Sequence, residues 1–253
     1  MINLLISGAN GRMGKKVKEL SSSFAEIKVV CGVDICENFS DANYPIYSKI
    51  TDVKEDVDVI IDFSSPKSLD GILEFIKGKN TGAVLCSTGY TEEDIAKINI
   101  ASKDNAIFRS ANMSLGVNVL IELVKSACKK LYGFDVEIIE KHHNQKVDAP
   151  SGTALMLADG IKEVQSEKYY TYGREGIVGK RQPNEIGIHA IRGGNIVGEH
   201  DVIFAGENET ITLSHSAQDR GVFANGAIKA AKFLIGKKPA IYNMSDVINQ
   251  NNA

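Results

Sequence analysis

The sequence predicts an α/β protein in which a Rossmann-like, doubly wound parallel sheet domain is joined to a second α+β domain with a mixed or antiparallel sheet. Three observations lead to this prediction. Short apolar runs alternate with helical periodicity through the first half of the chain, which is typical of βαβ units. A glycine-rich turn links the first run to the first helix. Between residues 186 and 215, strand patterns follow one another without a helix between them.

Length and charge limit the possible organisation and partners. The 253 residues are enough for two domains, and we expect residues 1–113 and 220–253 to form the first and residues 114–219 the second. The net charge of −3 argues against nucleic acid or an anionic membrane as the main partner. Positive charge is therefore local where it occurs, and it suits a small anion better than a polymer.

The cysteines indicate a reducing compartment. None of the four has the Cys-x-x-Cys spacing of a zinc or redox site: Cys31, Cys36, Cys86 and Cys128. Reduced thiols are the simplest interpretation. The N-terminus has no signal-peptide pattern, and no apolar run approaches the length of a membrane span. We therefore expect a cytoplasmic globular protein.

The first strand leads into the strongest local motif of the first half. Residues 2–7 are apolar, and a Gly-x-x-Gly-x-x-Gly turn at 8–14 follows them before helical periodicity begins. Glycines allow a tight turn and let the backbone approach a pyrophosphate at the helix N-terminus. A second strand at 27–33 ends at Asp34, where an acid can accept hydrogen bonds from ribose hydroxyls. Together these features predict a dinucleotide site rather than a purely structural turn.

Further strands are predicted at residues 57–63, 83–86 and 106–108. Helices open after the first two, at Ser64-Ser65-Pro66 and at Thr91. Ligands of doubly wound sheets bind at the carboxyl ends of the strands. The polar segments 64–65, 87–89 and 110–112 follow those ends, so we expect them to line one crevice.

The segment 140–154 is unusually dense in histidine and lysine side chains, which carry charge and exchange protons. A strand at 136–139 leads into it and helical periodicity from Ala154 leads out. Pro150 separates the segment from the helix, and Ser151 is a natural N-cap that leaves the amides of Gly152 and Thr153 at the helix start. Such amides and the positive helix end bind anions. With the neighbouring histidines and lysines, the segment is suited to hold and protonate a carboxylated substrate.

Two structural interpretations of this segment stay open. Ser151 and Thr153 could serve only as a helix cap, and the His-His-x-x-Lys run could be a solvated loop. Zinc is disfavoured because adjacent histidines point in different directions and no further ligand follows at zinc spacing. We expect no metal site.

The remainder of the chain predicts the second sheet and two long helices. A helix begins at Ser114 and carries Cys128 on its apolar stripe, which indicates a core position. Residues 165–185 show no clear periodicity. Strands are predicted at 186–191, 196–205 and 210–215, a helix at 222–235, and a frayed end at 249–253.

The sequence resembles the 4-hydroxy-tetrahydrodipicolinate reductase (dihydrodipicolinate reductase) family nearly end to end. The matching segments are Gly-Ala-Asn-Gly-Arg-Met-Gly at 8–14, Ser-Thr-Gly at 87–89, Ala-Asn-Met-Ser-Leu-Gly-Val-Asn at 111–118, Glu-Lys-His-His-Asn-Gln-Lys-Val-Asp-Ala-Pro-Ser-Gly-Thr-Ala at 140–154, Arg-Gly-Gly-Asn-Ile-Val-Gly-Glu-His at 192–200 and Phe-Ala-Asn-Gly-Ala at 223–227. The string at 140–154 is far more specific than any glycine motif.

The resemblance implies reduction of a cyclic imine dicarboxylate to tetrahydrodipicolinate by NADH or NADPH, with loss of water, in the diaminopimelate and lysine pathway. It makes His142 and Lys146 the proton-donating residues. It implies substrate contacts from His143, Lys146, Ser151, Gly152 and Thr153. It also implies a dinucleotide-binding first domain, and a second domain that binds substrate and joins a homotetramer.

The cofactor contacts implied by the resemblance fall on three segments and on Asp34. They are Gly8, Ala9, Asn10, Gly11, Arg12, Met13, Asp34, Cys86, Ser87, Thr88, Ser110, Ala111, Asn112 and Met113. Cys86 stands where the family usually has glycine, and Met113 where it usually has an aromatic residue. Neither departure removes a charged or catalytic group, so the implied reaction is unchanged.

Two alternatives belong to other classes of protein. A non-enzymatic nucleotide-binding regulator would keep the glycine turn and Asp34 but would not need His142, His143 and Lys146. The second alternative is another two-domain dehydrogenase of amino-acid metabolism, acting on homoserine or aspartate semialdehyde. For the cofactor, no basic residue directly follows Asp34, so we expect NADH to be used at least as well as NADPH.

Overall fold

The computed structural model describes residues 1–35 and 43–250, so Cys36 and residues 251–253 lie outside the described chain. The chain forms two compact units. The first combines Met1–Leu115 with Arg220–Ala253, and the second is Gly116–Asp219. Among the described residues, no helix has the length and apolar character needed to cross a membrane.

A sheet of seven parallel strands forms the centre of the first unit. The strands are β1 (Ile2–Ser7), β2 (Ile27–Val33), β3 (Ile46–Tyr47), β4 (Val59–Asp62), β5 (Gly82–Leu85), β6 (Ala106–Arg109) and β12 (Ala240–Tyr242). Their order is β12-β6-β5-β4-β1-β2-β3. The chain therefore proceeds outward from β1 on both sides, and the order reverses between β1 and β4. In open α/β sheets this reversal point is where ligands bind.

Helices cover both faces of this sheet. They are α1 (Arg12–Ser21), α2 (Leu69–Ile76), α3 (Glu92–Ala101), α6 (Gly221–Leu234) and α7 (Met244–Gln250). Side chains alternate along a strand, and β1 shows the result. Its Leu4 and Ile6 pack in a core with α1, α6 and α7, whereas Leu5 packs in a second core with α2 and α3. The predicted doubly wound sheet is confirmed.

The second unit is a mixed sheet with two helices. Its elements are α4 (Leu115–Lys130), β7 (Asp135–His142), α5 (Gly152–Val164), β8 (Tyr169–Tyr172), β9 (Glu185–Arg192), β10 (Gly198–Ala205) and β11 (Thr210–Ala217). The strand order is β11-β10-β7-β9-β8. Strands β7, β8 and β9 run parallel, while β10 is antiparallel to β7 and β11. The predicted mixed sheet is therefore confirmed.

The two faces of this second sheet differ. Val136 and Ile138 of β7 pack in a core with side chains of α4 and α5, among them Cys128, which is fully buried. Glu137, between them, points to the opposite face because the side-chain period of a strand is two. The even-numbered residues of β7 therefore define the helix-covered face.

Several boundaries differ from the sequence prediction. The prediction that the strand before the 140–154 segment ends at Ile139 was wrong, since β7 continues to His142. Strands β3, β8 and β12 and helix α7 were not predicted. These strands have two to four residues, too few to show an alternating pattern. The fraying predicted from Asn249 began too early, because α7 includes it.

Candidate active site

The glycine turn after β1 is shaped by contacts that exclude side chains. Gly8 has a φ of +78°, and a Cβ added there would lie 2.9 Å from the carbonyl carbon of Phe63. A Cβ on Gly14 would lie 2.1 Å from the carbonyl oxygen of Gly8. Helix α1 therefore starts close against the turn. Its N-cap, Gly11, provides no side-chain cap, so backbone amides face the space where a phosphate can bind.

Asp34 is brought to this turn, as the sequence predicts. Its Oδ2 accepts a hydrogen bond of 2.8 Å from the amide of Asn10. A cavity of about 710 Å³ opens beside the pair, within the range that holds small-molecule ligands. Its lining includes Gly8, Asn10, Gly11, Lys15, Asp34, Ile35, Ser64, Ser65 and Lys67. A glycine cradle, a helix N-terminus and a strand-terminal carboxylate beside one cavity fit the adenosine and phosphate half of a dinucleotide.

The other predicted cofactor residues lie farther along the same sheet edge. Cys86, Ser87 and Thr88 follow β5 directly, while Ser110, Ala111, Asn112 and Met113 follow β6. None of them lines the 710 Å³ cavity, which is formed at β1, β2 and β4. Because β5 and β6 lie beyond β4 in the sheet, the two groups of residues are spread as an extended ligand requires.

Local hydrogen bonds hold these outer segments in place. The buried carboxylate of Asp62, at the end of β4, accepts from the Ser87 hydroxyl at 2.7 Å and from the Ser64 amide at 3.2 Å. Asp62 thus ties the loop after β5 to the loop after β4. After β6, the Ser110 hydroxyl donates to the Asn112 carbonyl at 2.9 Å. Met113 is buried, so its side chain belongs to the apolar core rather than to an open surface.

In the second unit, β7 ends in a cluster around Glu140. Its carboxylate is fully buried on the helix-covered face and contacts the ring of His142, with Oε2 2.7 Å from Nδ1. Arg192, at the paired end of β9, donates to both carboxylate oxygens at 2.7 Å. Burial alone would raise the pKa of Glu140, but hydrogen bonds from Arg192, His142 and the Ser151 amide hold it below its ordinary value.

The loop after β7 places the other predicted residues around this cluster. Lys146 pairs with Asp148, with Nζ 2.8 Å from Oδ1, and its amide donates to the His143 carbonyl at 3.2 Å. The hydrogen bond from Lys146 lowers the pKa of Asp148. Arg192 also reaches the loop, because its second terminal nitrogen donates to the Asp148 carbonyl at 2.8 Å. Lys146 and His143 are both half-buried.

Helix α5 starts beside the same cluster. Ser151 is its N-cap, and the Ser151 hydroxyl accepts from the Ala154 amide at 3.2 Å, as predicted. The Ser151 amide donates to Glu140 Oε1 at 2.9 Å. Gly152 is the first helical residue and has open space where a Cβ would stand. The first turn of α5 contains no acidic residue, so no side chain of the turn itself offsets the positive end of the helix.

His200 completes the arrangement from β10. Its Nε2 lies 2.9 Å from the Ser151 hydroxyl, and its ring meets that of His142 edge-on with centroids 5.3 Å apart. Burial, together with the nearby His142, lowers the pKa of His200 to about 4. His200 is therefore neutral at working pH and acts as a neutral support for the cap of α5.

Sequence reasoning missed Glu140, Arg192 and His200 as members of this cluster. One signal could have identified Glu140, since the alternation Val136, Ile138, Glu140 and His142 places an acid at a core position of a strand. A buried acid requires a partner. Arg192 and His200 lie on other strands, and only the strand register brings them together. In the described part of the chain, no group of three or more His, Cys, Asp or Glu side chains could hold a metal ion.

The fold and the nucleotide-binding turn define the class of protein, and the relatives define the family. A doubly wound first domain with a glycine cradle and a strand-terminal acid, joined to a second domain, is the architecture of NAD(P)-dependent dehydrogenases. A myo-inositol dehydrogenase from Lactobacillus casei, solved with NAD(H) and myo-inositol, shares the fold with a TM-score of 0.59 at 15% identity, covering 98% of this chain and 91% of that one.

The family follows from full-length matches. The model for the N-terminal part of dihydrodipicolinate reductase matches residues 2–113, and that for the C-terminal part matches 116–248. The 4-hydroxy-tetrahydrodipicolinate reductase of Caldanaerobacter subterraneus subsp. tengcongensis is 55% identical over 251 residues, 99% of each chain. That of Clostridium tetani is 50% identical over 98% of each. This chain belongs to the dihydrodipicolinate reductase family, a family of NAD(P)-dependent oxidoreductases.

A solved structure of the family agrees with the fold. Dihydrodipicolinate reductase from Paenisporosarcina sp. TG-14, determined with dipicolinate bound, matches with a TM-score of 0.79 at 24% identity. The match covers 97% of this chain and 99% of that one. At this identity the match shows the fold and leaves the roles of individual residues to their own geometry.

Proposed function

We propose that this chain is a 4-hydroxy-tetrahydrodipicolinate reductase that transfers a hydride from NADH or NADPH to a cyclic imine dicarboxylate, in diaminopimelate and lysine biosynthesis. The observation that carries the proposal is the meeting of His142, Lys146 and the N-terminus of α5 around buried Glu140. Proton donor, mobile cation and anion-binding helix are the groups that such a substrate requires.

The reaction takes up one hydride and one proton and releases one water. NADH or NADPH, when bound, supplies the hydride. Negative charge that develops on the reduced substrate must be neutralised, and His142 is suited to give the proton because histidine is the side chain most often used as a general acid. Lys146 can assist as a second donor and as a positive charge beside a carboxylate.

The substrate carboxylates are held by His143, Lys146 and the start of α5. The amides of Gly152 and Thr153 and the Thr153 hydroxyl lie at the positive helix end, where a carboxylate is favoured. Ser151 acts as the cap that orients this turn. Since Lys146 pairs with Asp148 on the described chain, a bound carboxylate has to share or replace that partner.

For the cofactor, the proposed contacts are the glycine turn with Asp34 and the loops after β5 and β6. The Asp34 carboxylate lies beside the cavity and accepts hydrogen bonds from ribose hydroxyls while repelling a 2′-phosphate. Lys15 and Lys67 also line the cavity and offset part of that repulsion. NADH is therefore used at least as well as NADPH. Comparing kcat/KM for the two cofactors tests this, and a large advantage for NADPH would contradict it.

The experiment for the function follows the absorbance of the reduced nicotinamide. Its loss should depend on the cyclic dicarboxylate, and Lys146→Ala should lower kcat and raise KM for that substrate. Lys141→Ala is the matched control, because Lys141 pairs with Glu199 and Asp201 on the opposite face of the sheet. Oxidation of the cofactor without the cyclic substrate, or equal behaviour of the two variants, would contradict the proposal.

The setting of the reaction is proposed from the same features. The described cysteines are free thiols, which supports a reducing cytoplasm. The face of the second sheet that α4 and α5 leave uncovered supports assembly into a homotetramer, as the family resemblance implies. Light scattering of the purified protein measures the number of chains, and a monomer at assay concentration would contradict this assembly.

A further inference from the structure

Glu140 occupies a position that a strand normally gives to an apolar residue. It continues the row of Val136 and Ile138 on the helix-covered face, and it is fully buried. Burying a carboxylate is unfavourable unless its oxygens are satisfied by hydrogen bonds or ion pairs. The identity of its partners therefore shows what this acid does.

Four hydrogen bonds reach the Glu140 carboxylate. Oε2 accepts from Arg192 and faces His142 Nδ1, both at 2.7 Å, while Oε1 accepts from Arg192 at 2.7 Å and from the Ser151 amide at 2.9 Å. An ionised carboxylate has about four acceptor sites and no donor. The Arg192 guanidinium keeps the group ionised by forming a two-pronged pair. Every acceptor site of Glu140 is thus in use.

This arrangement determines which ring nitrogen of His142 carries the hydrogen. Because Glu140 can only accept, the hydrogen between Oε2 and Nδ1 must belong to His142. A neutral imidazole carries one N–H, so its Nε2 is then bare and is the nitrogen that takes up and releases a proton. A Cβ added to Gly198 would lie 3.1 Å from Nε2, so glycine at this position leaves the reactive side of the ring room.

We propose that Glu140 is a positioning residue that fixes His142 in the Nδ1–H tautomer and, through the Ser151 amide, fixes the start of α5 relative to that ring. One buried carboxylate then orients both the proton donor and the carboxylate-binding turn. The tautomer is a property of the protein itself, and only its effect on turnover rests on the proposed reductase function. The competing explanation is that Glu140 merely neutralises Arg192.

The first test uses the unaltered protein and needs no substrate. The chain has five histidines, so ¹⁵N-histidine labelling gives a simple spectrum, and a His142→Gln sample assigns the His142 signals. At a pH where the ring is neutral, Nδ1 should carry the hydrogen and Nε2 should show the shift of a bare nitrogen. A His142 ring with its hydrogen on Nε2 would overturn the proposal whether or not the protein is a reductase.

The second test removes the charge of Glu140. In Glu140→Gln the amide has one accepting oxygen and one donating nitrogen for a site lined by four donors, so it cannot hold all of them. We expect kcat to fall at least about tenfold, but by no more than in His142→Gln, and KM for the dicarboxylate to rise because the start of α5 is no longer held as firmly. The ¹⁵N spectrum should show that the Nδ1–H form is no longer the single tautomer.

Glu137→Gln is the matched control, since Glu137 lies on the same strand and also contacts arginine and histidine, but on the opposite face. Its kcat should stay within about twofold of the unaltered protein. Equal losses in the two variants, or an Nδ1–H tautomer and normal kcat in folded Glu140→Gln, would overturn the proposal. If Glu140→Gln does not fold, the spectrum of the unaltered protein decides the question.

Discussion

Strand β7 carries two glutamates that are each held by arginine and paired with histidine, one on either face of the sheet. Glu140 contacts Arg192 and His142, and Glu137 contacts Arg174 and His189. The residue types and distances are nearly the same. The surroundings differ, because the Glu140 side chain is fully buried whereas that of Glu137 is 21% exposed.

Each glutamate forms a trio with its arginine and its histidine, and the further contacts of the two trios differ. Glu140 also accepts from the amide of Ser151, which caps an anion-binding helix start. Around Glu137 the additional donor is Arg181, which also donates to the backbone carbonyls of Val136 and Glu185. Those bonds tie the connection between β8 and β9 to the sheet, whereas Glu140 is bonded to the start of a helix. Under the proposed function, the two trios differ because only the Glu140 carboxylate also bonds the backbone of a helix start that can bind an anion.

Removal of each histidine in turn should give the largest difference between the two sites. His142→Gln should lower kcat by about 10²–10⁴-fold with little change in KM, because a positioned proton donor is lost. His189→Gln should leave kcat within about twofold. Steady-state kinetics and thermal melting of both variants measure this. A His142→Gln protein with normal melting and near-normal kcat would remove His142 from the reaction.

Removal of the arginines tests the burial of the two carboxylates. Arg192→Ala leaves Glu140 charged and buried without its cation, which should cost about 3–5 kcal/mol of unfolding free energy. Arg174→Ala leaves Glu137 partly exposed and still paired with Arg181, so the cost should be about 1–2 kcal/mol. Urea unfolding measures both values. Equal losses would mean that the two sites are energetically alike, against the structure.

Acid should weaken the two regions in different pH ranges. The folded-state pKa of His200, beside Glu140, is lowered by burial from 6.5 to about 4, so stability falls as the pH falls from 6.5 toward 4. The pKa of Glu137 is lowered from 4.5 to about 2, since hydrogen bonds from Arg174, His189 and Arg181 outweigh the effect of burial. Its contribution is present above pH 4.5 and is lost toward pH 2.

Titration of each of these groups should change the stability by on the order of 3 kcal/mol across its range. His200→Gln should flatten the stability curve between pH 6.5 and 4. Glu137→Gln should reduce, without abolishing, the loss below pH 4.5, because Glu140 and other carboxylates with a lowered pKa titrate there as well. Unfolding free energies measured over the pH series test both statements. A Glu137→Gln protein that loses stability below pH 4.5 as steeply as the unaltered protein would contradict the assignment.

The sequence predicted the fold well because that part of the protein follows local rules. Continuous apolar runs produce the buried strands of the parallel sheet, and Ser151 caps α5 as its position before Gly152 suggests. The end of β7 was not predictable in the same way. Glu140 and His142 are polar, and what keeps them in a strand is pairing with Arg192, fifty-two residues later in the chain.

The same limit applies to the candidate site. Motif and spacing predicted a site with His142, Lys146 and the start of α5, because these lie within one short segment. The alternation along β7 indicates which face each glutamate occupies, but the partners that distinguish Glu140 from Glu137 lie elsewhere in the chain and are not encoded in local periodicity. The strand register of β7 with β9 and β10 is required before the two trios can be distinguished.

Two glycines give the smallest and most selective perturbation. A Cβ on Gly187 of β9 would lie 1.8 Å from Glu137 Oε2, whereas a Cβ on Gly198 of β10 would lie 3.1 Å from His142 Nε2. Gly187→Ala must displace a carboxylate that several donors hold, so it should cost about 1–3 kcal/mol of stability while kcat is unchanged.

Gly198→Ala requires the His142 ring to move by only a few tenths of an ångström, so the stability should change by less than about 1 kcal/mol. Its kcat should nevertheless fall several-fold, because the displaced ring is the proton donor. Gly187→Ala should therefore lower the melting temperature without changing kcat, whereas Gly198→Ala should lower kcat with little change in melting temperature. A Gly198→Ala enzyme with full activity would show that the Nε2 side of His142 does not face the reaction.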